Sequence, residues 1–320
     1  KNGVGFFLFF FLIAAFSQSG QALSLDWSGH YRFEYVSIDK TSLADPGNRK
    51  AYGLQNLILS PKIIAADGFN IIGQFSVLGN PNYPGSMAGQ TFGLGTNSGR
   101  SGDMNGSSSN TVGRQAGASS IEVRQLYMNL SQEYGNLLVG RAPIDFGLGV
   151  TYNSGRGAFD HWADTYDLIG YNFIVGNLSM MPIIAKPFDY SPAQGRDVTD
   201  LILNVNYNNP DTESQFGVLH SVRTSSQDAN DSSNVLGGTV TAPYSVKRTN
   251  VFLGRGFESF KFKMEAGFTD GYTGVRVGSD DMKANGFGLA LDLDFPKPES
   301  RWHWNIKAGL VTGDNPTSSN

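Results

Sequence analysis

The chain has 320 residues and no cysteine, and 24 Lys and Arg against 28 Asp and Glu give a formal net charge of −4. So small a charge gives no sign of a nucleic-acid-binding surface, and the lack of cysteine excludes disulfides, cysteine-ligated zinc and cysteine nucleophiles. The 40 glycines and the aromatic share of 12% differ from the composition of an average soluble domain.

The N-terminus has the parts of a secretory signal peptide. Lys1 is followed by an apolar run from Val4 to Phe16 and then by small and polar residues. The apolar run is shorter than a comfortable membrane-spanning helix, which makes a membrane anchor the weaker alternative. We expect residues 1–22 to be a cleaved signal peptide that exports residues 23–320.

The exported part opens on LSLDWSGHYRFEY, residues 23–35, which alternates strictly between apolar or glycine positions and polar positions. This period of two predicts a β-strand with one apolar and one polar face. The segments 260–268, 286–295 and 301–310 repeat the pattern clearly. Weaker alternation predicts nine more strands, which brings the total to about 13. These nine are 52–65, 69–78, 121–131, 137–146, 167–175, 178–186, 200–207, 214–222 and 246–254.

The connections between these strands alternate between long and short, as at 36–51, 66–68, 79–120 and 132–136. Bacterial outer-membrane barrels combine short periplasmic turns with long extracellular loops. In lipid, only helices and closed barrels pair every backbone polar group. We therefore expect an all-β fold, a transmembrane antiparallel up-and-down β-barrel. A secreted β-sandwich or propeller of short strands is the alternative.

The C-terminus does not provide a closing strand. The last predicted strand ends near Leu310 and continues into VTGDNPTSSN, and the odd strand count places that end on the wrong side of the membrane. An unpaired strand edge in lipid is costly. We expect residues 23–320 to be a barrel that is incomplete at its C-terminus, with more strands when intact.

The stretch VRQLYMNLSQEYGNLLVGRAPIDFGLG, residues 123–149, resembles the strand–turn–strand unit of outer-membrane porins and alginate-export-type barrels. The following FDHWADTYDLIGYNF, residues 159–173, is similar to the segment in which such proteins enter the next strand. The resemblance implies passive or weakly selective passage of small solutes and no cofactor. It also implies that the loop at 145–167 can fold inward and narrow a pore, although we slightly favour an ordinary outward loop.

Charged residues that lie opposite apolar neighbours are the candidate functional residues. In a barrel they would face a water-filled lumen. They would act either as cross-strand ion pairs that stiffen the wall or as a field that biases the passage of ions, and we give these two roles equal weight. The pore-lining candidates are Arg32, Glu34, Lys62, Arg141, Asp145, Lys261, Lys263, Glu265, Asp292, Arg301, His303 and Lys307.

The motifs of enzymes and metal sites are missing. None of the four histidines lies in a local catalytic or zinc-binding motif, and residues 228–239 depart from the calcium-loop pattern at its glycine and glutamate positions. We therefore predict no catalytic residue, no metal site and no cofactor.

These patterns together predict a porin-like channel in the outer membrane of a Gram-negative bacterium. We expect it to pass small hydrophilic solutes or ions through a charge-lined lumen. The alternative is a structural or adhesive barrel whose lumen is plugged and which acts through its long loops. The expected partners are outer-membrane lipid and small solutes or ions, and we expect no nucleic acid. Assembly into a homo-oligomer is an open alternative.

Overall fold

The computed structural model describes residues 24–39, 49–79, 87–92, 121–157, 160–189, 197–226, 239–296 and 303–312. The predicted signal peptide and the candidate Arg301 lie outside these ranges. No helix within them is long and apolar enough to cross a membrane.

The described residues form 16 strands of a single antiparallel sheet. The first eight are β1 (Ser24–Ile38), β2 (Lys50–Ala66), β3 (Phe69–Ser76), β4 (Gln90–Thr91), β5 (Glu122–Gln132), β6 (Gly135–Pro143), β7 (Thr165–Val175) and β8 (Leu178–Asp189). The other eight are β9 (Asp197–Asn209), β10 (Ser214–Ser225), β11 (Thr239–Val240), β12 (Ser245–Gly256), β13 (Lys261–Val277), β14 (Asp280–Lys283), β15 (Gly286–Phe295) and β16 (Trp304–Val311).

Thirteen of these strands lie side by side in chain order, from β1 at one edge to β16 at the other. They correspond to the 13 strands predicted from the alternation, and their up-and-down order is the predicted one. The short strands β4, β11 and β14 pair with β2 or β13 outside this path and were not predicted. Among the described residues β1 and β16 do not pair with each other, so the sheet is open there.

The sheet has two different faces. We call the face that carries Arg32 and Glu265 the inner face, and the opposite one the outer face. On β1 the outer residues Trp27 and Tyr31 are 62% and 58% exposed, whereas Arg32 is 7% exposed. The period of two assigns the remaining residues of each strand to one face or the other.

The outer face carries an apolar belt of defined height. On β9 the outer residues Leu201, Leu203 and Val205 lie between the polar residues Thr199 and Asn209. Ten residue steps span about 33 Å along a strand. At a tilt of 35–45° this is a height of about 25 Å, which is the height of the apolar band of outer-membrane barrels.

In their upper halves, towards the long connections, strands β6 to β9 carry apolar residues on the inner face. Their inner residues Ala142, Leu168, Ile183 and Ile202 are at most 5% exposed. The register pairs Ala142 with Tyr166 and its neighbour Arg141 with Asp167, which places Arg141 on the outer face and not on the predicted inner face. The apolar-out, polar-in pattern is inverted here because the inner face of these strands is covered.

Candidate functional site

Part of the inner face is covered by the residues 144–157 and 160–164, which we call the inner segment. It leaves β6 and folds back on itself. The Ile144 amide donates to the Asp164 carbonyl at 3.0 Å, and the Asp164 amide donates to the Asn153 carbonyl at 2.6 Å. The slightly favoured expectation of an outward loop at 145–167 is therefore wrong, and the inward fold implied by the resemblance is the one found.

The first anchor of the inner segment is Glu265 on β13, which is 0% exposed. Its Oε2 accepts the backbone amides of Leu148 at 2.7 Å and Val150 at 3.3 Å. Its Oε1 accepts the side-chain amide of Asn250 at 2.6 Å. A buried carboxylate is stable only with such partners, so Glu265 holds the tip of the inner segment against the wall.

The tip needs glycine at two positions. Gly147 and Gly149 have φ angles of 57° and 81°, in the left-handed region that other residues rarely adopt. A Cβ on Gly147 would also lie 2.7 Å from Oε2 of Glu265. The backbone can therefore approach the carboxylate this closely only without a side chain.

The second anchor is Tyr152, which is 1% exposed. Its hydroxyl donates to Oγ of Ser221 on β10 at 3.0 Å. Burial raises the pKa of the Tyr152 phenol, and the hydrogen bond to Ser221 opposes that shift only in part. The phenol is therefore neutral at physiological pH and stays a donor.

The third anchor lies on β1. The Arg32 guanidinium is 3.0 Å from Oε2 of Glu34 and donates to the Asp160 carbonyl at 3.0 Å and to the Met87 carbonyl. The same Glu34 oxygen lies 2.8 Å from Nε2 of His161. Arg32 and Glu34 thus bind two segments that enter from the long connections.

These anchors show that the sheet curves around the inner segment. Strands β1 and β13 are ten steps apart in the sheet order, and a flat sheet would separate them by about 48 Å. Asp160, which contacts β1, follows Leu148, which contacts β13, by only twelve positions in the chain. One short segment reaches both walls because the walls face each other.

The structure brings most of the sequence-predicted site residues to the inner face. Lys62 lies opposite Asp26 on the neighbouring strand, and Asp145 is an exposed residue of the inner segment. Arg141 lies on the outer face. The strand register assigns these candidates to the inner face: Arg32, Glu34, Lys62, Lys261, Lys263, Glu265, Asp292 and Lys307, with His303 beside Asp294.

The inner-face candidates divide into two groups by exposure. Arg32 and Glu265 are buried under the inner segment and have structural partners. By contrast, Lys62 and Lys263 are exposed, and the Lys307 side chain is 72% exposed, with its Nζ 3.9 Å from Asp292. Only the exposed group is open to solvent on the inner face.

Sequence reasoning missed a charged cluster above the inner segment. Arg223 on β10 donates to both carboxylate oxygens of Asp200 at 2.8 and 2.6 Å and to the Tyr166 hydroxyl at 3.2 Å. A cavity of about 350 Å³ lies beside it and is also lined by Arg248. The alternation of Leu219, Ser221 and Arg223 would have indicated the inner face, had β10 been extended beyond residue 222.

The described residues include no group of three or more His, Cys, Asp or Glu side chains placed to bind a metal ion. No protein-family model matches the chain, and no curated protein matches it.

Solved structures do match. The outer membrane channel DcaP of Acinetobacter baumannii is 10% identical, with a TM-score of 0.52 over 91% of this chain and 79% of that chain. Two matches with lower TM-scores are OmpT, an outer membrane protein of Vibrio cholerae (10% identity, 0.40, 91% and 89%), and a triple mutant of the Rhodopseudomonas blastica porin (8%, 0.37, 91% and 95%). At such low identities the likeness shows the fold alone, and the match to DcaP, with its TM-score above 0.5, is the evidence for it. The curved all-β sheet, its apolar outer belt and this match together show that the chain has the fold of an outer-membrane β-barrel of the porin type.

Proposed function

We propose that the protein is a porin-like channel in the outer membrane of a Gram-negative bacterium, where it passes small hydrophilic solutes. It acts without catalysis or a cofactor, and residues 1–22 direct its export. The contrast between the two faces carries the proposal. Exposed charged side chains lie on the inner face at Lys62, Lys263 and Lys307, while the outer belt is apolar. Such a polarity suits water inside and lipid outside.

The inner segment supports a restricted passage. It crosses between β13 and β1 and is fixed at both walls, so it narrows the cross-section beside it. Pores combine such constrictions with charged walls to select among solutes. The exposed lysines would then set the ion preference, since they lie on the wet part of the inner face.

A plugged barrel is the second candidate, and one observation favours it. The inner segment packs Ile144, Phe146 and Tyr152 against the inner faces of β6 to β12 in one apolar cluster. This cluster leaves no passage between the inner segment and strands β6 to β12. If other residues close the remaining cross-section of the lumen, the protein passes no solute and acts through its long loops.

Conductance in a planar lipid bilayer separates the two candidates. We expect stepwise currents whose size grows with the salt concentration, because ions cross a water-filled passage. Heat-denatured protein is the control and should give no steps. Folded protein that inserts and passes no current would overturn the channel proposal in favour of the plugged barrel.

A further inference from the structure

Part of the inner face is polar without being charged. On the short-turn side of the inner segment, inner positions of β5, β6, β7 and β9 carry asparagine. We call these six residues the amide wall: Asn129, Asn136, Asn172, Asn204, Asn206 and Asn208.

The register places the amide wall in two groups, one on β5 to β7 and one on β9, with strand β8 between them. Asn136 lies directly opposite Asn172 on β7. The intervening strand β8 presents Met181 opposite Asn204 and Ser179 opposite Asn206. Neighbouring strands are about 4.8 Å apart, so Asn136 and Asn172 lie within reach of two hydroxyl groups of one small solute, and the group on β9 lies about 10 Å from β7 across β8. On this side of the inner segment, the described inner positions of β5 to β9 carry no charged side chain.

The amides have free hydrogen-bonding capacity. Within the described part of the chain, no side-chain hydrogen bond occupies Asn136 or Asn172. Oδ1 of Asn129 is buried and has no partner. Asn206 donates to Asn204 at 2.8 Å, which still leaves its own carbonyl oxygen. Buried polar atoms are normally paired, so an unpaired carbonyl beside other unpaired amides indicates that a ligand or water completes them.

The chemistry of the amide group indicates what that ligand is. A primary amide has two donors and a carbonyl acceptor and carries no charge. A hydroxyl group needs both a donor and an acceptor, whereas a carboxylate or an ammonium needs an opposite charge. We infer that the amide wall is a binding track for uncharged polyhydroxylated solutes, namely sugars or sugar alcohols. This inference rests on the proposed channel function and names the solute class of the same lumen.

Weak binding is what a track of this kind requires. Each exposed amide competes with water, so one hydrogen bond adds little net affinity. Several weak sites in a row let a solute enter and also leave, which strong single sites prevent. A row of neutral amides therefore raises the local concentration of a polyol without trapping it.

The test compares two uncharged solutes of similar mass in proteoliposome swelling. Sorbitol has six hydroxyl groups, and tetraethylene glycol has two, with ether oxygens between them. We expect the ratio of the sorbitol rate to the tetraethylene glycol rate to fall roughly twofold to tenfold in Asn136→Ala/Asn172→Ala, as the loss of weak hydrogen bonds implies. A wider passage would raise the rates of both solutes, so its effect cancels in the ratio.

Outer-face amides near the same turns supply the control. Gln132 and Asn209 bond to tyrosines outside the lumen, so Gln132→Ala/Asn209→Ala should keep the wild-type ratio. Asn136→Gln/Asn172→Gln keeps the amides and should retain most of the preference, which excludes loss of folding as the cause. An unchanged ratio in the alanine variant, with salt currents still present, would overturn the amide wall and leave the channel intact. Absence of salt currents from the wild type would instead overturn the channel.

Discussion

At the scale of single residues, Glu265 determines where the inner segment sits. It is a fully buried carboxylate whose partners are two backbone amides and Asn250. Its oxygens accept the hydrogen bonds that these donors would otherwise give to water. Removing an acceptor from buried donors costs more than the hydrogen bond contributed, because the donors stay dehydrated.

We expect Glu265→Leu to destabilise the protein by about 2–6 kcal/mol, since the amides of Leu148 and Val150 each lose their acceptor at a cost of about 1–3 kcal/mol. The tip of the inner segment would then leave the wall, and single-channel currents would become larger and noisier. Urea unfolding in lipid vesicles gives the free energy, and bilayer recordings give the current.

Glu258 provides the matched control. It is exposed in the turn between β12 and β13, so Glu258→Leu should change the free energy of unfolding by no more than about 0.5 kcal/mol. Equal effects of the two substitutions would mean that Glu265 does not anchor the segment.

The alternation of FKFKMEAGF predicts the face of Glu265 correctly but not its burial. Alternation reports which side a residue occupies, and it contains nothing about a segment 115 residues earlier in the chain that covers this side. The glycines at 147 and 149 were the available signal, because two close glycines mark a backbone that must approach something tightly.

At the scale of one strand, β13 offers a test of the two faces that keeps the composition unchanged. Lys263 lies on the inner face, and its neighbour Met264 lies on the outer face between Leu253 and Leu291. We expect the exchange Lys263→Met/Met264→Lys to block barrel assembly, because a lysine in the middle of the lipid-facing belt costs about 2–4 kcal/mol.

The single change Lys263→Met should assemble normally, since it alters only the wet face. Assembly is measured as the folded fraction by circular dichroism and by resistance to detergent denaturation. Wild-type assembly of the exchanged variant would show that both faces of β13 meet the same environment, which contradicts a membrane barrel.

Strands β6 to β9 show why the alternation was least informative there. Ala142, Leu168 and Ile183 pack under the inner segment, so apolar residues occupy the inner face. Because the inner positions are apolar and the charged Arg141 and Asp167 lie outside, the alternation indicated the opposite face, and Arg141 was assigned to the wrong side. The strand positions were still predicted, because turn residues such as Gly176 interrupt the apolar runs.

At the scale of the whole molecule, the exposed lysines of the inner face test the ion preference. We expect Lys263→Glu/Lys307→Glu to shift the reversal potential in a salt gradient toward cations, because fixed negative charge in a pore attracts cations and repels anions. The shift should shrink in 1 M salt, where the screening length falls to about 3 Å.

Lys247 lies exposed on the outer face of β12, next to Val222 of β10, and Lys247→Glu is the control that should leave the reversal potential unchanged. A pore that conducts and keeps its wild-type preference after the double change would place Lys263 and Lys307 outside the path of the ions.

The global topology was predictable because it follows from repeated local signals: 13 alternating segments and connections of alternating length. The path of the inner segment was not, because it depends on hydrogen bonds between residues more than 100 positions apart, such as Leu148 with Glu265 and Asp160 with Arg32. No local pattern encodes these pairs, and only the family resemblance suggested an inward loop.

The apolar inner wall beneath the inner segment also limits how the lumen could open. If the segment were displaced, the side chains of Ile183, Ile202 and Leu219 would be bared toward the lumen. Water withdraws from narrow passages with such walls, and the resulting dewetted gap is a barrier to ions although nothing solid fills it. At the level of the inner segment, a gap opened in front of β8 to β10 would therefore stay non-conducting, and ions in the proposed channel would keep to the charged side near β13 and β1, which release of the tip from Glu265 would widen.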